Sequence, residues 1–158
     1  MRNLMIAVAV LMASACVTTH SIQSDDRKFS VAATDEWEVI DADANMPLSK
    51  DRLTLHNKRN DQIVAFDAIA AEMGTADDVC HVFWLGAAQQ ARSNNILVTK
   101  LQDVAVIEGA CGYRLITPHT IGEMFFFTRG NVYFVQVFRP ASSSLDKETI
   151  RLIESVKE

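Results

Sequence analysis

The chain has 158 residues, a formal charge of −5 at pH 7 and 49% hydrophobic residues. That length supports one compact domain and is too short for two comfortable ones. The acidic balance, with no Lys/Arg-rich run anywhere, excludes nucleic acid as an expected partner.

The chain begins with an address. Arg2 is followed by Leu4 to Ala13, ten residues with no polar side-chain atom beyond Met sulfurs, and then by the small residues Ser14 and Ala15 ahead of Cys16. This is the layout of a secretory signal peptide, and its apolar run is too short to span a bilayer as a helix. Small residues before Cys16 also resemble the lipobox of bacterial lipoproteins, which implies diacylation of the Cys16 thiol and cleavage after residue 15. Ala13 stands where that family usually has Leu, and Ala13-Ser14-Ala15 is equally an A-x-A site for ordinary secretion. Cysteine arithmetic favours the anchor: three Cys are an odd number, and lipidation of Cys16 leaves Cys80 and Cys111 as a pair. The expected divisions are a signal peptide at 1–15, the lipidated Cys and a polar tether at 16–28, and one domain at 29–158.

Within that domain, Phe29 to Ala32 and Trp37 to Ile40 read as short strands on either side of the turn-prone Thr34-Asp35-Glu36. Asp41 to Asp51 reads as a loop. Leu53 to His56 and Ile63 to Ile69 form a hairpin across Arg59-Asn60-Asp61-Gln62. The period then changes: Thr75 can cap a helix, Asp77 and Asp78 suit its first turn, and Val79, Val82, Phe83, Gly86 and Gln90 fall at helical spacing, with Cys80, Trp84 and Ala87 widening the face. Residues 96–100 are ambiguous, 104–108 look extended, and Cys111 to Thr117 is a strand stopped by Pro118. Met124 to Phe127 and Val132 to Phe138 form a hairpin across Arg129-Gly130-Asn131 that is apolar on both faces. A sheet wet on one side would alternate apolar with polar, so these strands require cover on both sides. After the Ser142-Ser143-Ser144 cap region, Leu145, Thr149, Leu152, Ile153 and Val156 make the stripe of a closing helix. The fold class is therefore α+β: an antiparallel sheet of about six strands covered by helices on both faces.

Phe29-Ser30-Val31 followed by Asp35-Glu36-Trp37, then Ile107-Glu108-Gly109-Ala110-Cys111-Gly112-Tyr113-Arg114-Leu115, the Gly130 hairpin with Tyr133 and the ending Ile153-Glu154-Ser155-Val156 resemble the order of elements in PsbP/Mog1-like domains. The departure is Cys111-Gly112, where ordinary small residues are expected. The resemblance implies an α/β/α sandwich that binds other proteins without chemistry, and transfers no catalytic residue.

Cys80 and Cys111 suit a disulfide; outside the cytoplasm it would close a loop of about 32 residues and contribute about 3–4 kcal/mol in the chain-entropy model. Two sharper uses compete with it. A nucleophilic Cys would need a His, and His81 points about 100° away from Cys80 on a helix, leaving His56 or His119 to arrive from elsewhere. A metal site from Cys80, His81, Cys111 and His119 has the right ligand types in no recognised spacing. His56 alternates with Leu53 and Leu55 and is expected to face water, and His20 lies in the tether. Asp41, Asp43, Asp51 and Asp61 are expected in solvated loops, since Asp41-Ala42-Asp43-Ala44-Asn45 lacks the glycine and late Glu of a calcium loop. No catalytic residue, cofactor or metal is assigned. The expected protein is a non-catalytic lipoprotein domain on the periplasmic side of the outer membrane, bound to a protein or envelope component. A soluble periplasmic form is the alternative location. A small hydrolase using His119 or the loop carboxylates, and an inhibitor of an envelope-degrading enzyme, are the alternative activities.

Overall fold

In the computed structural model, which describes residues 18–41, 49–94, 96–101, 107 and 109–158, the doubly apolar hairpin lies at the centre of a sheet. The strands are β1 (His20–Gln23), β2 (Ser30–Ala33), β3 (Trp37–Val39), β4 (Ser49–Asn57), β5 (Ile63–Ile69), β6 (Leu97–Lys100), β7 (Cys111–Ile116), β8 (Thr120–Arg129) and β9 (Asn131–Pro140). The helices are α1 (Ala76–Asn94) and α2 (Lys147–Glu154), with a short 3-10 turn over Ala71–Met73. Seven strands pair in the order β3-β4-β5-β9-β8-β7-β6, all antiparallel. This is the expected α+β class, with seven strands against about six. Leu97–Lys100, too short to declare a period, resolves as an edge strand on β7.

Alternation sorts the core into two layers. Phe125, Phe127, Tyr133, Val135 and Val137 join Leu55, Val64 and Phe66 beneath α2 and the β1–β2 hairpin. Met124, Phe126 and Phe134 join Tyr113 beneath Val79 and Cys80 of α1. Phe126 stacks on Phe134 at 4.5 Å between ring centroids. The tight β8–β9 turn is possible because Gly130 takes a φ of +69°, where a side chain would be strained.

Three expectations change. His20–Gln23, assigned to the tether, is a strand whose Ile22 faces Val31 of β2. Its polar residues face solvent, so no alternation advertised it. Asp51, assigned to a loop, is buried and organises the β1–β2 turn. Its carboxylate accepts hydrogen bonds from the Ser24 hydroxyl, from the Asp26 N–H at 2.9 Å and from the Lys28 N–H at 3.4 Å. The cap of α2 is Asp146, which accepts from the Thr149 N–H at 2.7 Å, while the Ser143 hydroxyl donates to the Pro140 carbonyl one turn earlier. Cys16 and the leader, Asp43 with most of the Asp41 to Asp51 stretch, and nearly all of 104–108 lie outside the described residues.

One polar cluster is buried within the sheet. Glu123 of β8 is 2% exposed. It accepts from Arg114 Nε at 2.9 Å and Nη2 at 2.5 Å, and from Arg139 Nε at 3.2 Å. Arg139 also donates to the Ser143 carbonyl, tying β9 to the segment that leads into α2. Removing one partner of a buried pair leaves the other charge uncompensated. Glu123→Gln is therefore expected to cost about 3–5 kcal/mol, read as a lower midpoint in urea denaturation. A loss under about 1 kcal/mol would mean that solvent screens the cluster.

Candidate functional site

Helix α1 packs across β7 on one face of the sheet. Thr75 starts the helix: its hydroxyl accepts from the Asp78 N–H at 3.3 Å, and its own N–H and hydroxyl donate to the Asp78 carboxylate at 3.0 and 2.7 Å. Those bonds hold the Asp78 carboxyl below its ordinary range. One turn in, Cys80 is bonded to Cys111 of β7, with 6.2 Å between the Cα atoms. The link consumes both thiols. It therefore removes the nucleophile and metal readings of this pair, and among the described residues no group of three or more His, Cys, Asp or Glu could hold an ion. His81 is exposed and lines a small hollow beside the disulfide with Asp77, Trp84 and Lys100. The Lys100 ammonium lies 5.5 Å from the Trp84 ring centre.

Beyond the disulfide, α1 and the sheet border an open groove of about 520 Å³ lined by Val82, Phe83, Gly86, Gln90, Tyr113 and Leu115 among others, none of them charged. Burial pushes the Tyr113 phenol up to about 12, so it stays neutral. The sequence assigned Val82 and Gly86 to the packed face of α1. They sit instead at its border: Val79, Cys80 and Ala91 are buried, whereas Val82 is 59% exposed. The inward arc is narrower than the apolar arc: α1 packs chiefly against β6, β7 and β8, with Phe83 reaching Phe134 of β9 at 5.1 Å between ring centroids. Gly86 has no structural reason to be glycine: a Cβ there would meet nothing within 4 Å and its φ is not positive. Glycine inside a helix costs about 1 kcal/mol relative to Ala, and what it provides here is depth of groove. A glycine in an otherwise good helical period was the only sequence signal for this site.

The remaining candidates scatter. His119 is exposed in the β7–β8 turn, where its N–H donates to Thr117 Oγ1 and its carbonyl accepts from Ala141. Among the described residues, neither a carboxylate nor a thiol is brought to its ring. Asp41 is exposed, and His20 pairs with Asp35 at 3.4 Å. A second hollow, of about 380 Å³, opens between the β2–β3 turn, the β4–β5 turn and α2. Its charges are largely paired within the site: Glu148 accepts from Thr34 Oγ1 at 2.5 Å and Trp37 Nε1 at 3.1 Å, and Arg59 reaches Glu148 and Glu36. That network fastens α2 to the sheet.

His56 is not simply solvated. Nδ1 lies 3.1 Å from Glu38 Oε1 and Nε2 lies 3.1 Å from Asp61 Oδ1. Only the imidazolium can donate through both nitrogens, and these two carboxylates raise its pKa. A pKa raised in the folded state adds stability that is complete below the unfolded value near 6.5 and is lost as pH rises through the folded value. The wild-type minus His56→Gln difference in melting temperature should therefore shrink between pH 6 and pH 8. A pH-independent difference would show that the ring is held by packing.

No family model matches the chain, and no curated protein matches it. Solved structures do. The solution structure of cyanobacterial PsbP (CyanoP) from Synechocystis is similar over 92% of this chain and 95% of its own, at a TM-score of 0.55 and 13% identity. The crystal structure of the Saccharomyces cerevisiae Ran-binding protein Mog1p is similar over 89% and 95%, at 0.52 and 7%. At these identities the likeness establishes the fold, PsbP/Mog1-like, and leaves function to the site.

Proposed function

We propose that the chain is a non-catalytic, lipid-anchored domain on the periplasmic side of the outer membrane, and that it holds a protein or envelope component in the groove between α1 and β7. The observation that carries the binding role is the groove itself: open, uncharged along its lining, and deepened by a glycine that the fold does not require. Concave, mostly apolar sites of this size suit a few apolar side chains of a partner. A non-catalytic binding role also accords with the likeness to a Ran-binding protein. Support for the anchor comes from the leader ending at Cys16 and from the Cys80–Cys111 bond, which leaves Cys16 as the odd thiol and suits an oxidising compartment.

Two measurements test this. Intact mass of the membrane fraction should show the chain beginning at Cys16 and carrying acyl groups; a mature N-terminus without them contradicts the anchor. A photo-cross-linking residue at Gln90 should give a discrete adduct in the envelope that Gly86→Leu removes while leaving the melting temperature unchanged or higher. An adduct indifferent to Gly86→Leu contradicts the groove as the binding site.

A further inference from the structure

The outward face of α1 carries a pattern of which the groove uses only Val82. Asp78, Val82, Leu85, Gln89 and Arg92 follow one another at spacings of four, three, four and three residues within a single helix, so they form one stripe of the kind that seats a second helix. All five are exposed. Val82 at 59% and Leu85 at 55% are among the few large hydrophobic residues left open to solvent among the described residues. The stripe is self-complementary. It has an acid at one end, a base at the other, and Leu85 midway, seven residues from each.

We propose that two copies of the chain associate through this stripe, with their α1 helices antiparallel about a two-fold axis at Leu85. In that arrangement Leu85 faces its own counterpart, and Val82 faces Gln89 of the other copy. Asp78 and Arg92, each about 10 Å along the axis from the centre, come opposite one another. Thr75 keeps Asp78 ionised for the pairing. A parallel pair would set Asp78 against Asp78 and Arg92 against Arg92, so the charges select the antiparallel sense. The helix dipoles favour the same choice. The contact uses the same patch on both copies, so it closes at two and does not propagate. His81 and Asp77 flank the stripe without lying on it. Only Val82 is shared with the groove, so the dimer does not depend on what the groove holds. A single helix pair buries less than the roughly 1,200 Å² of a stable interface, so the association is weak in solution and gains from copies held together on one membrane.

The test uses the full chain with Cys16→Ser, so that the Cys80–Cys111 disulfide is the only other sulfur pair. Under mild oxidation, Leu85→Cys should cross-link to itself into a covalent dimer. Asp78→Cys and Arg92→Cys should cross-link only when mixed, and Asp25→Cys on the β1–β2 turn should not cross-link at all. In sedimentation equilibrium, Arg92→Glu should weaken the dimer at least tenfold and the swap Asp78→Lys with Arg92→Glu should restore it. If the swap unfolds α1 through loss of the Thr75 cap, the cysteine pairs decide alone. A monomer at all concentrations with no excess cross-linking at Leu85, or a dimer that survives Leu85→Glu, would overturn the proposal.

Discussion

A sheet whose central hairpin is apolar on both sides cannot be left half covered, and the rest of the molecule follows from that constraint. Phe126 and Phe134 stack on one face, while Phe127 and Tyr133 lie together on the other. Each such side chain gains about 1.5–3 kcal/mol from leaving water, and the gain is realised only if something lies above it and something below. The two covers are unlike. The face beneath α2 is closed by a helix of eight residues together with the β1–β2 hairpin, fastened by Asp51 and by the Glu148 network. The other is closed by α1, nineteen residues long, capped by Thr75 and tied to β7 by the Cys80–Cys111 bond.

That asymmetry explains where the two proposed binding surfaces arise. Between Cys80 and the buried Ala91, the space left between α1 and the sheet is the groove at Gly86. The same partial contact leaves the outer arc of α1 with Val82 and Leu85 in water. A helix with only solvent above it would be cheaper with charged residues there. The domain thus spends some stability at two neighbouring places on one helix, which is how recognition surfaces usually differ from the rest of a fold.

Much of the architecture was legible because it rests on period. Two-residue alternation from Met124 to Phe138 required cover on both faces, and the odd cysteine count separated Cys16 from the Cys80 and Cys111 pair. What failed was local and polar. His20–Gln23 is paired through its backbone and faces solvent with most of its side chains, so composition made it a tether. Asp51 resembles any loop carboxylate until the β1–β2 turn folds over it. The Ser142-Ser143-Ser144 run was read as the cap region, whereas the cap is Asp146. On α1 the apolar arc was read correctly and its packed portion was not, because a helical period does not say how much of the helix the sheet can reach. The groove was therefore hidden in residues assigned to the core.

The dependence of everything on the doubly covered central strands is tested most directly by native-state hydrogen exchange followed residue by residue. The slowest amides should be those of β5, β8 and β9, from Val64 to Ala68, Met124 to Phe127 and Tyr133 to Val137, all exchanging with the free energy of global unfolding, while α1 opens at lower cost once the Cys80–Cys111 bond is reduced. If α1 or the β1–β2 hairpin instead held the slowest amides, or if β8 and β9 exchanged before their covers, the sheet centre would not be what the structure is built upon.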